Sequence, residues 1–136
     1  MKRSLIGVLA AASLAGAALA TAAPTQAAAL PTCTTYREYQ GLYVLSTASG
    51  SLNCQLGAGT RSLGAVPQLQ RNLRDCDRYQ RDVTVDGNFG QRTVAALRWV
   101  QNKEGVPPTG VYGPATRDKM YFMVVGSRTE CRPLTP

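Results

Sequence analysis

The sequence contains no histidine. That absence excludes a Ser-His-Asp triad, a Cys-His dyad and any metal site built on imidazole. Lysine and glutamate are scarce: Lys2, Lys103 and Lys119 are the only lysines, and Glu38, Glu104 and Glu130 the only glutamates. No Cys-x-x-Cys pair occurs, which removes the usual signal for a redox or zinc motif. No metal and no other cofactor is expected. Apart from one stretch near the amino end, no segment approaches the roughly 20 apolar residues that a membrane-spanning helix needs. A chain this poor in catalytic side chains is expected to bind rather than to react.

What the sequence does contain is unevenly spread. Of 136 residues, 44% are hydrophobic, but 12 of the 18 alanines lie before Leu30. Residues 1–29 read as a secretory signal peptide. Lys2 and Arg3 form a basic start, 5–20 are apolar but too short to span a bilayer, and small-x-small sites follow, with cleavage expected after Ala29. The remaining 107 residues can build one modest core. They carry 13 cations against 8 anions, or +5, compared with +7 for the whole chain. Eleven of those cations are arginine, which suits carboxylate or phosphate partners or simply a solubilising surface.

All four cysteines, Cys33, Cys54, Cys76 and Cys131, follow the leader. An even count in a small exported chain implies two disulfides. Of the three connectivities, Cys33–Cys54 with Cys76–Cys131 is expected. The first would staple an N-terminal segment to itself, and the second would tie the end of the first helix to the C-terminal tail. On the chain-entropy model the two loops are worth roughly 3 and 4 kcal/mol.

Residues 30–63 have strand character. Tyr36 to Tyr39 and Leu42 to Leu45 are aromatic and β-branched, and a turn-like run at 46–51 precedes 52–56. A hairpin held by Cys33–Cys54 is expected, followed by a linker at 57–60. From Ala65 the period becomes helical. Val66, Leu69, Gln70 and Leu73 share one face of a helix running to about Cys76. Thr93, Ala96, Leu97 and Val100 repeat that spacing in a second helix, with Gly90 before it and Gly105 as its cap. Thr116, Met120 and Met123 mark a third, with Pro114 just inside its start.

The second and third helices are entered through the same pattern. Residues 86–93, DGNFGQRT, match residues 109–116, TGVYGPAT, at a spacing of 23. Each copy is Gly-x-aromatic-Gly-x-x-Thr: Gly87, Phe89, Gly90 and Thr93, then Gly110, Tyr112, Gly113 and Thr116. This is a duplicated turn-plus-helix unit. The first glycine suits a positive φ. The aromatic anchors the turn inward, and the second glycine lets the backbone approach closely. The threonine hydroxyl is expected to reach a local backbone group.

With the Val66-x-x-Leu69-Gln70-x-x-Leu73 helix before them, and Val100-Gln101 and Gly105-Val106 between, these motifs strongly resemble the peptidoglycan-binding domain found beside bacterial cell-wall hydrolases. The resemblance covers residues 64 to 123. It implies a mainly α, compact three-helix domain at 64–125; the stapled β-hairpin before it and the disulfide-tied tail at 126–136 are read from the residues and lie outside the family pattern. It further implies a wall-binding protein without catalysis of its own. Two positions depart from the pattern: Val100 stands where phenylalanine is usual, and Thr109 where the second turn usually has aspartate.

No catalytic constellation emerges. Asp75, Asp77 and Asp82 read as a solvated helix end and loop. Nothing supports Asp86 with Glu104 as the carboxylate pair a glycosidase needs. Thr116-Arg117-Asp118-Lys119 is not a Ser-x-x-Lys motif. Binding to sugars and peptide stems calls for aromatic faces, amides and arginine. The candidates near the turns are Asp86, Asn88, Arg92, Gln101, Tyr112 and Arg117, with hydrogen bonding to a turn backbone as the competing role for Gln101. Trp99, off the buried face of its helix, is expected to pack on the hairpin tyrosines, with exposure to a sugar as the other reading.

The expected partner is cell-wall peptidoglycan, with a cell-wall hydrolase in trans as a further one. No nucleic acid and, after signal cleavage, no membrane is expected to be bound, and the protein is expected to be a secreted, wall-associated monomer. The alternative is a disulfide-stabilised protein-interaction or inhibitor module on the same scaffold.

Overall fold

The computed structural model describes residues 28–76 and 78–136. The expected signal peptide falls outside the described residues except for its last two positions, and Asp77 falls outside them as well. Among the described residues the elements in order are β1 (Thr35–Tyr39), β2 (Leu42–Ser46), α1 (Ala65–Asp75), α2 (Gln91–Lys103), α3 (Pro114–Arg117), β3 (Tyr121–Met123) and β4 (Cys131–Pro133).

β1 and β2 form an antiparallel hairpin, with Tyr39 opposite Leu42. Its two-residue turn places Gln40 at φ 54° and Gly41 at φ 72°, both left-handed, as a twisted hairpin with a primed turn requires. The strained Gln40 is anchored through its side chain. Its amide donates to the Thr135 carbonyl at 3.0 Å, and its carbonyl accepts from the Thr135 N–H at 3.0 Å. The hairpin tip is also bound to the chain after β3, where the Val125 N–H donates to the Gly41 carbonyl at 2.9 Å. Residues 52–56 add no third strand to the hairpin, and instead form single bridges from Gln55 to Thr32 and from Leu56 to Tyr112.

α1 lies at the centre of the packing. It contacts both hairpin strands, α2 and β3, and seven of its eleven residues are buried. Its start is capped from outside, the Val66 N–H donating to Ser62 Oγ at 2.9 Å. α2 ends as its sequence signals: Gly105 has φ 71°, its N–H donates to the Asn102 carbonyl, and the Val106 N–H donates to the Gln101 carbonyl at 2.8 Å. This is the paired C-terminal closure that glycine favours.

The third helix is shorter than its spacing suggests. α3 is a single turn opened by Pro114, and the chain beyond Met120 becomes strand β3, paired with β4. Tyr121-Phe122-Met123 is aromatic and bulky, which suits a strand. Its backbone is claimed by side chains: the Tyr121 N–H donates to the Tyr79 hydroxyl at 2.9 Å and the Met123 N–H to Asn72 Oδ1 at 3.4 Å. Thr116, Met120 and Met123 are nevertheless all buried, so the spacing marked the core correctly.

Both expected disulfides are present. Cys33–Cys54 staples the N-terminal hairpin region, and Cys76–Cys131 joins the end of α1 to β4. No cysteine is free among the described residues.

Candidate functional site

The two repeated turns are held by two glutamines that act alike. The Gln70 carbonyl on α1 accepts from the N–H groups of Asp86 and Gly87 at 3.1 and 3.0 Å. Its amide donates to Asp86 Oδ1, the Asn88 carbonyl and the Thr93 hydroxyl, at 3.0, 2.9 and 3.1 Å. On α2, the Gln101 carbonyl accepts from the Gly110 N–H at 2.9 Å, and its amide donates to the Val111 carbonyl and the Thr116 hydroxyl, each at 2.9 Å. Both glutamines are buried. The motif threonines therefore bond to a glutamine of the preceding helix, not to the local backbone expected of them. Burial strengthens such networks and makes each lost partner costly.

Each turn closes in its own way. Asp86 Oδ1 accepts from the Asn88 N–H at 2.9 Å, and in the second copy Thr109 Oγ1 accepts from the Val111 N–H at 3.2 Å. The hydroxyl thus replaces the carboxylate without loss of the turn. The first glycines are strictly required. Gly87 has φ 75°, and an added Cβ would lie 2.7 Å from the Ser62 carbonyl oxygen. Gly110 also has φ 75°, and its Cβ would lie 2.9 Å from Val94 Cγ1. The second glycines are not needed for close approach, since a Cβ at Gly90 or Gly113 would meet nothing within 4 Å.

The segment expected to be a linker is a strap across both turns. Leu56 exchanges two backbone hydrogen bonds with Tyr112, the Gly59 N–H donates to the Phe89 carbonyl, the Phe89 N–H donates to the Thr60 carbonyl, and the Ser62 N–H donates to the Gly87 carbonyl. The turn-backbone role named for Gln101 is the one the structure shows, whereas the strap and the matching role of Gln70 are not candidates from spacing alone. The signal for the clamps was the apolar-Gln pair that recurs as Leu69-Gln70 and Val100-Gln101.

Beside each turn lies a groove, and the two are equivalent. The first, about 330 Å³, is lined by Thr84, Asp86, Asn88, Gln91 and Arg92 together with Gly90 and Thr93. The second, about 360 Å³, has Pro107, Thr109, Val111, Pro114 and Ala115 at the corresponding positions, 23 residues on. Polar and charged side chains line the first, and the second is largely apolar.

Of the six candidates, the structure brings three together: Asp86, Asn88 and Arg92 are exposed and line the first groove. Hydrogen bonds from the Asn88 N–H and then the Gln70 amide hold the Asp86 carboxyl below its usual range. Among the described residues the Arg92 side chain has no ion pair or hydrogen bond. The other three lie elsewhere. Gln101 borders the second groove, with its amide committed to the turn. Tyr112 is completely buried, and burial pushes its phenol well above the usual range; its hydroxyl has no hydrogen-bond partner among the described residues. Arg117 clamps the N-terminal segment, donating to the Leu52 carbonyl and Asn53 Oδ1 at 2.9 and 3.0 Å. Trp99 is half-buried, with the Arg81 guanidinium 4.4 Å and the Lys103 ammonium 4.9 Å from its ring centre. Cations, not the hairpin tyrosines, are thus the ring partners seen at Trp99.

A module of duplicated turns on a three-helix core, with polar side chains lining the groove beside the first turn, is the class of domain that these features define. Residues 62–120 match the model of the family described as "Putative peptidoglycan binding domain", and the chain carries a domain of that family there. Over 114 residues the chain is 36% identical to the zinc D-Ala-D-Ala carboxypeptidase of Streptomyces albus G, an alignment covering 80% of this chain and 41% of that protein. The chain therefore spans less than half the length of this relative. No solved structure matches it significantly. The donor set here does not fit zinc: histidine is absent, the four cysteines are bonded to one another, and the described residues hold no cluster of three or more His, Cys, Asp or Glu.

Proposed function

We propose that this protein is an exported, wall-associated peptidoglycan-binding protein with no catalytic activity of its own, and that it binds through the groove beside the first repeated turn. The observation that carries the site is the difference between the two copies. The fold keeps glycine, aromatic and threonine in both, but only the first copy presents Asp86, Asn88 and Arg92 at the surface. Two disulfides suit an oxidising compartment outside the cytoplasm. The absence of histidine and the engagement of Thr116 by Gln101 support binding without turnover.

The test is incubation of the pure protein with purified insoluble peptidoglycan, followed by sedimentation and assay of the supernatant for released sugar and peptide fragments. The expected result is protein in the pellet and no released fragments. Folded protein that stays in the supernatant at low and moderate salt would refute wall binding, and fragment release would refute the non-catalytic part.

A further inference from the structure

Duplication provides an internal control on which residues the fold requires. Gly87, the aromatic Phe89 and Thr93 recur as Gly110, Tyr112 and Thr116, and each serves the turn or the core. Asp86, Asn88 and Arg92 do not recur: their counterparts are Thr109, Val111 and Ala115. Thr109 closes its turn with a neutral hydroxyl, so the charge at Asp86 is not demanded by the turn. The first groove therefore carries an anion whose charge the second turn does without and a cation that the second copy lacks, and these two are not paired with each other.

We propose that this groove recognises the peptide stem of peptidoglycan, through a group carrying both an ammonium and a carboxylate, and does not recognise the glycan strand. The proposal rests on the wall-binding reading above. Asp86, ionised and fixed in place by Gln70 and the Asn88 N–H, faces the ammonium. Arg92 faces the carboxylate, for which a guanidinium is the best-matched side chain. Asn88 and Thr84 supply amide and hydroxyl groups for the peptide backbone. A sugar ring, by contrast, presents an apolar C–H face that needs a flat apolar surface. The aromatics of both turns are buried, and no aromatic residue lines the first groove.

The experiment measures binding of the full chain to three soluble probes by calorimetry. They are the tripeptide L-alanyl-γ-D-glutamyl-meso-diaminopimelate, the same tripeptide with L-lysine last, and peptide-free glycan chains. The first should bind, the lysine peptide should bind roughly tenfold more weakly, and the glycan should not bind. Asp86→Asn and Arg92→Gln, both at exposed positions, should each weaken the first probe by roughly 5- to 10-fold. Glycan binding without tripeptide binding, or tripeptide affinity unchanged in both variants, would overturn the proposal. Sedimentation with intact peptidoglycan separates the two readings. Retention there while the tripeptide fails refutes only the stem inference, and loss of both refutes wall binding as well.

Discussion

Gln70 and Gln101 hold equivalent turns in the same way. The side-chain carbonyl of each accepts from the N–H of the first motif glycine, at 3.0 and 2.9 Å, and the amide of each donates to the motif threonine, at 3.1 and 2.9 Å. Each glutamine leaves the helix that precedes its turn, so the turns are bound to the core and not merely adjacent to it. Rigid placement of the first turn is what fixes Asp86 and Asn88 at the groove.

Replacing either clamp by an apolar residue should be severe. Gln70→Leu strands the N–H groups of Asp86 and Gly87 and the Thr93 hydroxyl, and a loss of about 3 kcal/mol or more is expected from the two that are fully buried, the Gly87 N–H and the Thr93 hydroxyl. Gln101→Leu strands Gly110 and Thr116 and should cost a similar amount. Urea unfolding of the variants at neutral pH measures both.

The two glycines of each copy should respond differently. Gly87→Ala forces a side chain into the left-handed region and against the Ser62 carbonyl at 2.7 Å, and should cost about 2–4 kcal/mol. Gly90→Ala meets no neighbour, at a backbone φ of −92°, and should cost under about 1 kcal/mol as a helix-cap change. Thermal unfolding of the pair gives the contrast directly.

The element pattern and the buried positions were readable because helical spacing and the duplicated motif report burial directly. Val66, Leu69, Gln70 and Leu73 all lie in the core, as do Phe89, Tyr112, Thr93 and Thr116. What could not be read was partnership across the chain. Gln70 is 16 residues from Asp86, and Leu56 is 56 residues from Tyr112, and no local propensity encodes either contact. Tyr112 admits both an inward anchoring role and a binding role from sequence, because aromatics serve both cores and surfaces, and packing decides for the anchor. α3 stopped early because β4, tied by Cys131, offered Tyr121 to Met123 a strand partner that the local sequence does not reveal.

Alkaline pH should destabilise the protein, with Tyr112 among the groups responsible. Burial raises the phenols of Tyr79 and Tyr112 above their ordinary value of 10.0. A raised folded-state value means that their stabilising contribution is complete below pH 10 and is lost as pH rises beyond it, because the unfolded chain ionises first. Tyr112→Phe should flatten this loss. It should cost little at pH 7, since the hydroxyl it removes has no hydrogen-bond partner among the described residues. Unfolding free energies at pH 7 and above pH 10, for both proteins, test the sign.

At the acid end the sign reverses. The Asp86 carboxyl is lowered by the Asn88 N–H and Gln70, so its contribution is present above the ordinary value of 3.8 and is lost as pH falls through the lower folded value. Asp86→Asn should therefore reduce the dependence of stability on pH below about 4, in acid unfolding followed by circular dichroism.

The most direct measurement is the fraction of protein retained on purified insoluble peptidoglycan, compared between the natural sequence and Asn88→Val, which makes the first turn match Val111 of the second. Retention of the natural protein is expected, with a drop in affinity of roughly tenfold in the variant and no change in its circular dichroism spectrum. Absence of retention in the natural protein, or equal retention of the two, would contradict that expectation.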